Sequence, residues 1–343
     1  MSYTKSCCVA SAAIVPLLTL AAAVGGADRE KKFEKFDAGN FGRSDTIDNQ
    51  WLPLRPGMRY IWDGMNVDEE GEEEAHSVVL TVTDLTKVID GVRTVVCWER
   101  DIVDGELEET EIFFAAQDND GTVWLLGEYP EEYDGGELDA APCWIHGIQA
   151  AQAGIMMLAE PLIGSPSYSQ GWAPAVDFSD RGAVYQTGKK TRAPVGSYED
   201  VLVIDEYNDE EPGAYQLKYY ARGVGNVRVG WRGEVTDQET LELVQVNELS
   251  VEELAAAREK ALKLERHAYE ISKDVYGRTE PSKLIASNGE GQDARQQLAD
   301  PTSVEPTRRT STGRCPDRLF GIRVSGPKRG TTCTEPLKWQ RLF

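Results

Sequence analysis

Histidine is scarce in this chain, with three in 343 residues: His76, His146 and His267. They are far apart in sequence, and no His-x-x-x-His or Cys-x-x-Cys spacing accompanies them, so the sequence offers no zinc site. Gly-x-Ser-x-Gly is also missing, which removes the strand–turn–helix elbow of a serine hydrolase. Gly223-Val224-Gly225 is too short for a dinucleotide fingerprint and opens no helix, so no phosphate cradle is present. Basic residues are outnumbered, 36 to 58, for a formal net charge of -22. The imbalance lies in the body: residues 28–277 carry 23 basic and 51 acidic side chains, a net of -28. Such a body repels nucleic acid and anionic surfaces and attracts cations or basic partners.

What is present is turn chemistry. Asp90-Gly91, Asp104-Gly105, Asp120-Gly121 and Asp134-Gly135-Gly136 punctuate the region 76–138 at nearly equal steps, with β-type residues between them. Asp-Gly tolerates the positive φ that tight hairpins require, and between apolar alternations it is the strongest short-range hairpin signal. Further strands are read at Met58 to Trp62, Ala183 to Thr187, Val201 to Tyr207, Ala214 to Tyr220, Val224 to Trp231 and Thr240 to Asn247. The region 139–172 breaks this rhythm and is read as a short buried helix or covering loop. The period then turns helical. Ser250 and Glu253 form a capping box, and Leu254, Ala257, Ala261, Leu264, Ala268, Ile271 and Val275 make one apolar stripe before Gly277. The fold expected is mainly β: an antiparallel up-and-down meander forming a strongly curved sheet or half-barrel, with a C-terminal α-helix.

The N-terminus reads as an export signal: Lys5, an apolar run from Val9 to Leu20, small residues to Gly26, then a charged stop. The organisation expected is a signal peptide over 1–27, a linker over 28–47, an antiparallel β-domain over 48–248, an amphipathic helix over 250–276 and a disordered basic tail over 277–343. The location that follows is extracytoplasmic, periplasmic or secreted, with no integral membrane span after signal cleavage. Cys7 and Cys8 leave with the signal. In an oxidising compartment Cys315 and Cys333 are candidates for one disulfide and Cys97 and Cys143 for a second, with two buried thiols as the alternative for the core pair.

Candidate sites are few. Glu109 and Glu111 fall on one face of a strand at a spacing suited to acid–base work, but a strand this acidic yields such pairs by chance, and a solvated acidic face is the reading adopted. Asp118-Asn119-Asp120-Gly121 offers hard oxygens at a sharp turn, so calcium held by Asp118, Asp120 and Glu128 is the one ion considered; the twelfth loop position is Tyr129 rather than a glutamate. No other cofactor is implied. Aromatic and sulfur-bearing side chains could line a hollow in a curved sheet: Trp62, Trp98, Trp124, Trp144, Met156, Met157 and Leu158, against the alternative of core packing.

Asp48-Asn49, Pro53-Leu54, Pro56-Gly57, Tyr60 and Trp62 resemble the opening of a group of uncharacterised exported bacterial β-domain proteins. Lys87 to Val96, Ala116 to Trp124, Pro194 to Val203 and Tyr219 to Val227 resemble that group's later turn-and-strand motifs. The last departs from the pattern at Arg222, where relatives carry proline. The resemblance covers about 48–248 and extends remotely to the half-barrel fold of lipoprotein carriers. It implies fold and carries no catalytic residue. The function expected is non-enzymatic binding of a hydrophobic or amphipathic small molecule. The alternative is a cell-envelope interaction or structural protein using its acidic surface, and a carboxylate-dependent hydrolase is the third reading.

Overall fold

The structure, a computed structural model, describes residues 33–67, 71–208, 212–235 and 238–285. Strands β1 (Met58–Val67), β2 (Glu73–Ile89), β3 (Val92–Val103), β4 (Glu106–Gln117) and β5 (Val123–Asp134) run as consecutive antiparallel neighbours. Short strands follow: β6 (Glu137–Ala140), β7 (Trp144–Ile145), β8 (Gln152–Met157), β9 (Tyr168–Ser169) and β10 (Gly171–Trp172). A second meander comprises β11 (Asp180–Ala193), β12 (Gly196–Asn208), β13 (Ala214–Ala221), β14 (Gly225–Gly233) and β15 (Thr240–Glu248), then helix α1 (Val251–Ile271) and β16 (Lys283–Leu284). The two meanders join through the β1–β15 ladder into one antiparallel sheet.

The turns do what their chemistry allows. Asp90 and Gly91 sit at φ 47° and 77°, and Asp104 and Gly105 at 49° and 85°. Positive φ at both central residues matches the right-handed twist of the flanking strands. Ile89 faces Val92 and Val103 faces Glu106 across these turns, so each hairpin keeps its register.

Three expectations are corrected. The half-barrel becomes one large layer that is neither strongly curled nor closed by a long ladder. Its two ends approach through the stretch Tyr168–Trp172, where two-residue β9 pairs with β11 and two-residue β10 pairs with β8. The region 139–172 holds short strands in place of a helix. Gly154 permits this, because a Cβ there would meet the Gln170 carbonyl carbon at 2.0 Å. Residues 33–47, read as linker, pack on the sheet: the Phe36 ring lies 5.5 Å from that of Trp124, Ser44 Oγ donates to the Arg93 carbonyl at 2.7 Å, and Ile47 is buried. Aromatic anchors without periodicity hold this segment, and a pattern search for strands and helices passes over them.

Helix α1 starts as its capping box dictates. Ser250 Oγ accepts from Glu253 N at 3.2 Å, and Glu253 Oε2 accepts from Ser250 N at 2.9 Å. The helix ends at Ile271, short of Gly277, and the chain continues through a 3-10 turn at Tyr276–Arg278 to β16 on β2. Residues 277–285 therefore belong to the packed body, while the remainder of the basic tail, with Cys315 and Cys333, lies outside the described residues. The signal segment does too. Lys87 clamps this C-terminal layer: its buried ammonium donates to Glu265 Oε1 at 3.0 Å and to the Glu280 carbonyl at 2.7 Å, and lies 4.2 Å from the Tyr276 ring centroid.

Candidate functional site

Strand register sorts the side chains onto two faces, because directly opposed residues share a face and alternate residues return to it. One row crosses the sheet as Ile204, Lys218, Val229, Leu241, Gly64 and His76. Tyr60, Trp62, Leu80, Glu99, Asp101 and Glu111 lie on the same face by alternation and pairing. Helix α1 covers the other face, as the bond from Lys87 of β2 to Glu265 of the helix records. Cys97 opposes Phe113 on the first face, whereas Cys143 sits near Lys87, Ser272 and Tyr276 on the helix side. The proposed pair Cys97–Cys143 is thereby corrected to two separate buried thiols. Burial pushes the Cys143 thiol up to about 11, so it is a packing group and not a nucleophile.

The first face has a polar interior that the alternation of charged residues in β3 and β4 did not reveal. Lys218 is fully buried and ion-paired with Glu206, whose other oxygen accepts from Gln170 Nε2 at 2.7 Å. His76 bridges Asp101 at 2.6 Å and Glu239 at 3.2 Å. Burial pushes the Glu239 carboxyl up to about 7, with His76 and Lys218 acting the other way. Glu99 and Glu111 oppose one another across β3–β4 and are 8% and 2% exposed, which overturns the solvated-face reading for Glu111. Burial, with Glu111 next, pushes the Glu99 carboxyl well above the usual range, and Lys218 pulls it back. Lys218 is five strands from Glu99 along the sheet.

Glu99 yields a pH-dependent prediction. A carboxyl whose folded pKa exceeds its ordinary value of 4.5 stabilises the fold below that value and loses the contribution as pH rises through the folded pKa. Glu99→Gln is therefore expected to raise the melting temperature at pH 8 and to leave it nearly unchanged at pH 4. In a domain of this size each 1 kcal/mol moves the midpoint by about 2–4 °C. Equal melting shifts at both pH values would contradict the buried-carboxyl assignment.

At the end of this face where β1 begins, a groove of ≈ 450 Å³ opens. Met58 and Tyr60, 8% and 6% exposed, form its floor, and Val195 and Val246, each 36% exposed, stand on its walls with Tyr198 and Arg55. Tyr60 stacks on Trp62 at 5.9 Å and donates to the Pro53 carbonyl at 3.3 Å. Arg222, where the resembling pattern carries proline, lies 4.0 Å over the Trp51 ring and pairs with Asp200 at 3.0 Å. Gly223 N donates to the Gln50 carbonyl at 2.7 Å. These contacts fix the 51–57 segment against the β13–β14 turn and hold the groove open between them.

Of the seven expected cavity residues, only Trp62 adjoins this groove. Trp98 donates to Thr110 Oγ1 on the other face, Trp124 donates to Asp118 Oδ2, and Trp144 donates to Glu128 Oε1 while stacking on Phe178. Met156 and Met157 are buried in β8, with half-buried Leu158 packed beside them. The calcium reading separates in the same way. Asp118 Oδ1 accepts from Asp120 N and Thr122 N, Asp120 accepts from Asn40, and Glu128 faces Trp144. Asp118 thus closes its own turn, and among the described residues no group of three or more His, Cys, Asp or Glu could hold a metal ion. The sequence reading missed the groove because its walls come from turns at 53–55, 195–198 and 223–224; the Pro-Gly and Ala-Pro turn signals located those turns without placing them together.

No known protein family and no curated protein matches the chain. Among solved structures it is similar to a candidate lipoprotein of Parabacteroides distasonis, at 12% identity and TM-score 0.36, over 58% of this chain and 100% of that one. It is also similar to a candidate exported protein with a YmcC-like fold from Bacteroides fragilis, at 11% identity and TM-score 0.34, over 58% and 99%. Likeness at this level carries no argument about activity.

Proposed function

We propose that the protein is an exported, non-enzymatic binding protein that takes a hydrophobic or amphipathic small molecule in the Tyr60 groove. The carrying observation is the groove itself, ≈ 450 Å³ with Val195 and Val246 beside Tyr198 and Arg55 on its walls and a buried floor of Met58 and Tyr60, within the range of small-molecule sites. Export is supported by the Lys5 and Val9–Leu20 pattern. Among the described residues no helix is long and apolar enough to cross a membrane. Of the Glu109 and Glu111 pair considered for acid–base work, Glu111 is 2% exposed, which weighs against a hydrolase built on that pair.

Titration with a fluorescent fatty-acid analogue tests the proposal. Val246→Glu places a charge on the apolar wall and is expected to weaken binding at least about tenfold, or 1.4 kcal/mol. Leu162→Glu, on a loop where Leu162 is 62% exposed, is the control and leaves binding unchanged. Wild-type affinity in both Val246→Glu and Tyr198→Ala would place the ligand elsewhere.

A further inference from the structure

The turn that walls the Tyr60 groove has a second groove against its other side. This one measures ≈ 540 Å³ and is lined by Lys190, Arg192 and Pro194 of the β11–β12 hairpin and by Arg228 and Glu242 of β14 and β15. Pro194 lines one groove and Val195 the other. The two residues are consecutive, so this turn borders both grooves, and a molecule that reaches both passes around it from the Tyr60 face to the face that carries Arg228 and Glu242.

The charge here runs against the rest of the molecule. From Arg181 to Pro194 the chain has four basic residues and no acidic one, inside a body with more than twice as many acids as bases. Arg192 is exposed, and among the described residues neither it nor Arg228 makes an ion pair. Lys190 pairs with Glu199, but those side chains are 74% and 76% exposed, and an exposed pair holds its cation weakly. Glu242 opposes Arg228 in register and is the one carboxylate in the lining. A surplus of cations therefore survives at one place on a protein that elsewhere repels anions. Two guanidinium groups lining one groove suit the paired oxygens of a phosphate or carboxylate.

Building on the groove-binding reading above, we infer that the ligand is an anionic amphiphile. Its apolar chain lies in the Tyr60 groove and its phosphate or carboxylate lies against Arg192 and Arg228.

Three probes test this on the full chain: dodecyl phosphate, dodecyl maltoside and inorganic phosphate. Dodecyl phosphate is expected to bind at least about tenfold more tightly than dodecyl maltoside at low salt. Arg192→Gln and Arg228→Gln each reduce that advantage and leave the maltoside affinity unchanged. Added salt erodes the same advantage, because exposed charges are screened. Equal affinity for the two amphiphiles, or an advantage that survives both substitutions, overturns the anion inference and leaves the groove reading standing. Inorganic phosphate binding as tightly as dodecyl phosphate overturns the link between the two grooves. Failure of both amphiphiles to bind overturns the groove reading, and the inference with it.

Discussion

Lys218→Met is expected to destabilise the protein by about 3–5 kcal/mol at pH 7, the scale for stripping a buried charge of its partner. Lys218 is fully buried on the first face and paired with Glu206, itself 6% exposed. It is also the cation that draws Glu99 and Glu239 toward their charged forms. Methionine fills the volume and supplies no charge, so Glu206 loses its ion-pair partner and Glu99 and Glu239 lose one attracting charge. The sign with pH follows. Loss of Lys218 raises the folded pKa of Glu99 and Glu239 further above the ordinary value. The stability those groups contribute is present at low pH and is lost as pH rises, so the deficit of the variant shrinks at pH 4 and grows toward pH 8. Adding Glu206→Gln to Lys218→Met is expected to recover part of the loss, because a neutral amide needs no cation. Urea unfolding at the two pH values checks this. A deficit independent of pH would mean that packing, and not charge, is what Lys218 supplies.

Lys87→Ala carries the second large effect, on the opposite face. It leaves Glu265, 5% exposed, without its ammonium while Ser282 N, Ser282 Oγ and the Tyr276 hydroxyl still donate to it. It also opens space beside Phe114 and Tyr276, whose rings Lys87 approaches at 5.8 and 4.2 Å. A loss of about 3–5 kcal/mol is expected, and it is local in character. The Glu280 carbonyl and β16 are released from β2, so limited proteolysis cuts between Ser272 and Leu284 before the sheet unfolds. Lys87→Met with Glu265→Gln is expected to be milder than Lys87→Ala. Global unfolding without early cleavage in this segment would show that the clamp is not a separate unit.

The contrast between these two lysines and the turns shows what the chain discloses on inspection. Asp90-Gly91 and Asp104-Gly105 carry their conformation in their own backbones, and Ser250 and Glu253 satisfy each other within one helical turn. Interactions that span four residues or fewer are written in the order of the residues. Lys87 and Glu265 are 178 residues apart, and Lys218 lies between carboxylates on β3, β12 and the approach to β15. No local period records such a meeting, and each lysine reads alone as a solvated charge in an acidic protein. The site behaves the same way. Tyr60 was legible as a strand aromatic, but the groove above it exists only because the turns at 53–55, 195–198 and 223–224 end at the same edge of the sheet. The short strands over 137–172 were illegible for another reason. Two-residue pairings such as Gly171 with Ala153 are too brief to leave an alternation, and glycine at 154 permits close backbone approach while glycine at 171 makes room for the Phe178 and Trp144 rings.

Native mass spectrometry of the protein purified from its own source is the most direct measurement of whether the Tyr60 groove is a binding site. A discrete added mass is expected, released by organic solvent, identified by fragmentation as a chain-bearing molecule, and missing from Val246→Glu prepared in the same way. A bare chain mass in the wild type, together with no saturable uptake of dodecyl phosphate or dodecyl maltoside, would contradict the account.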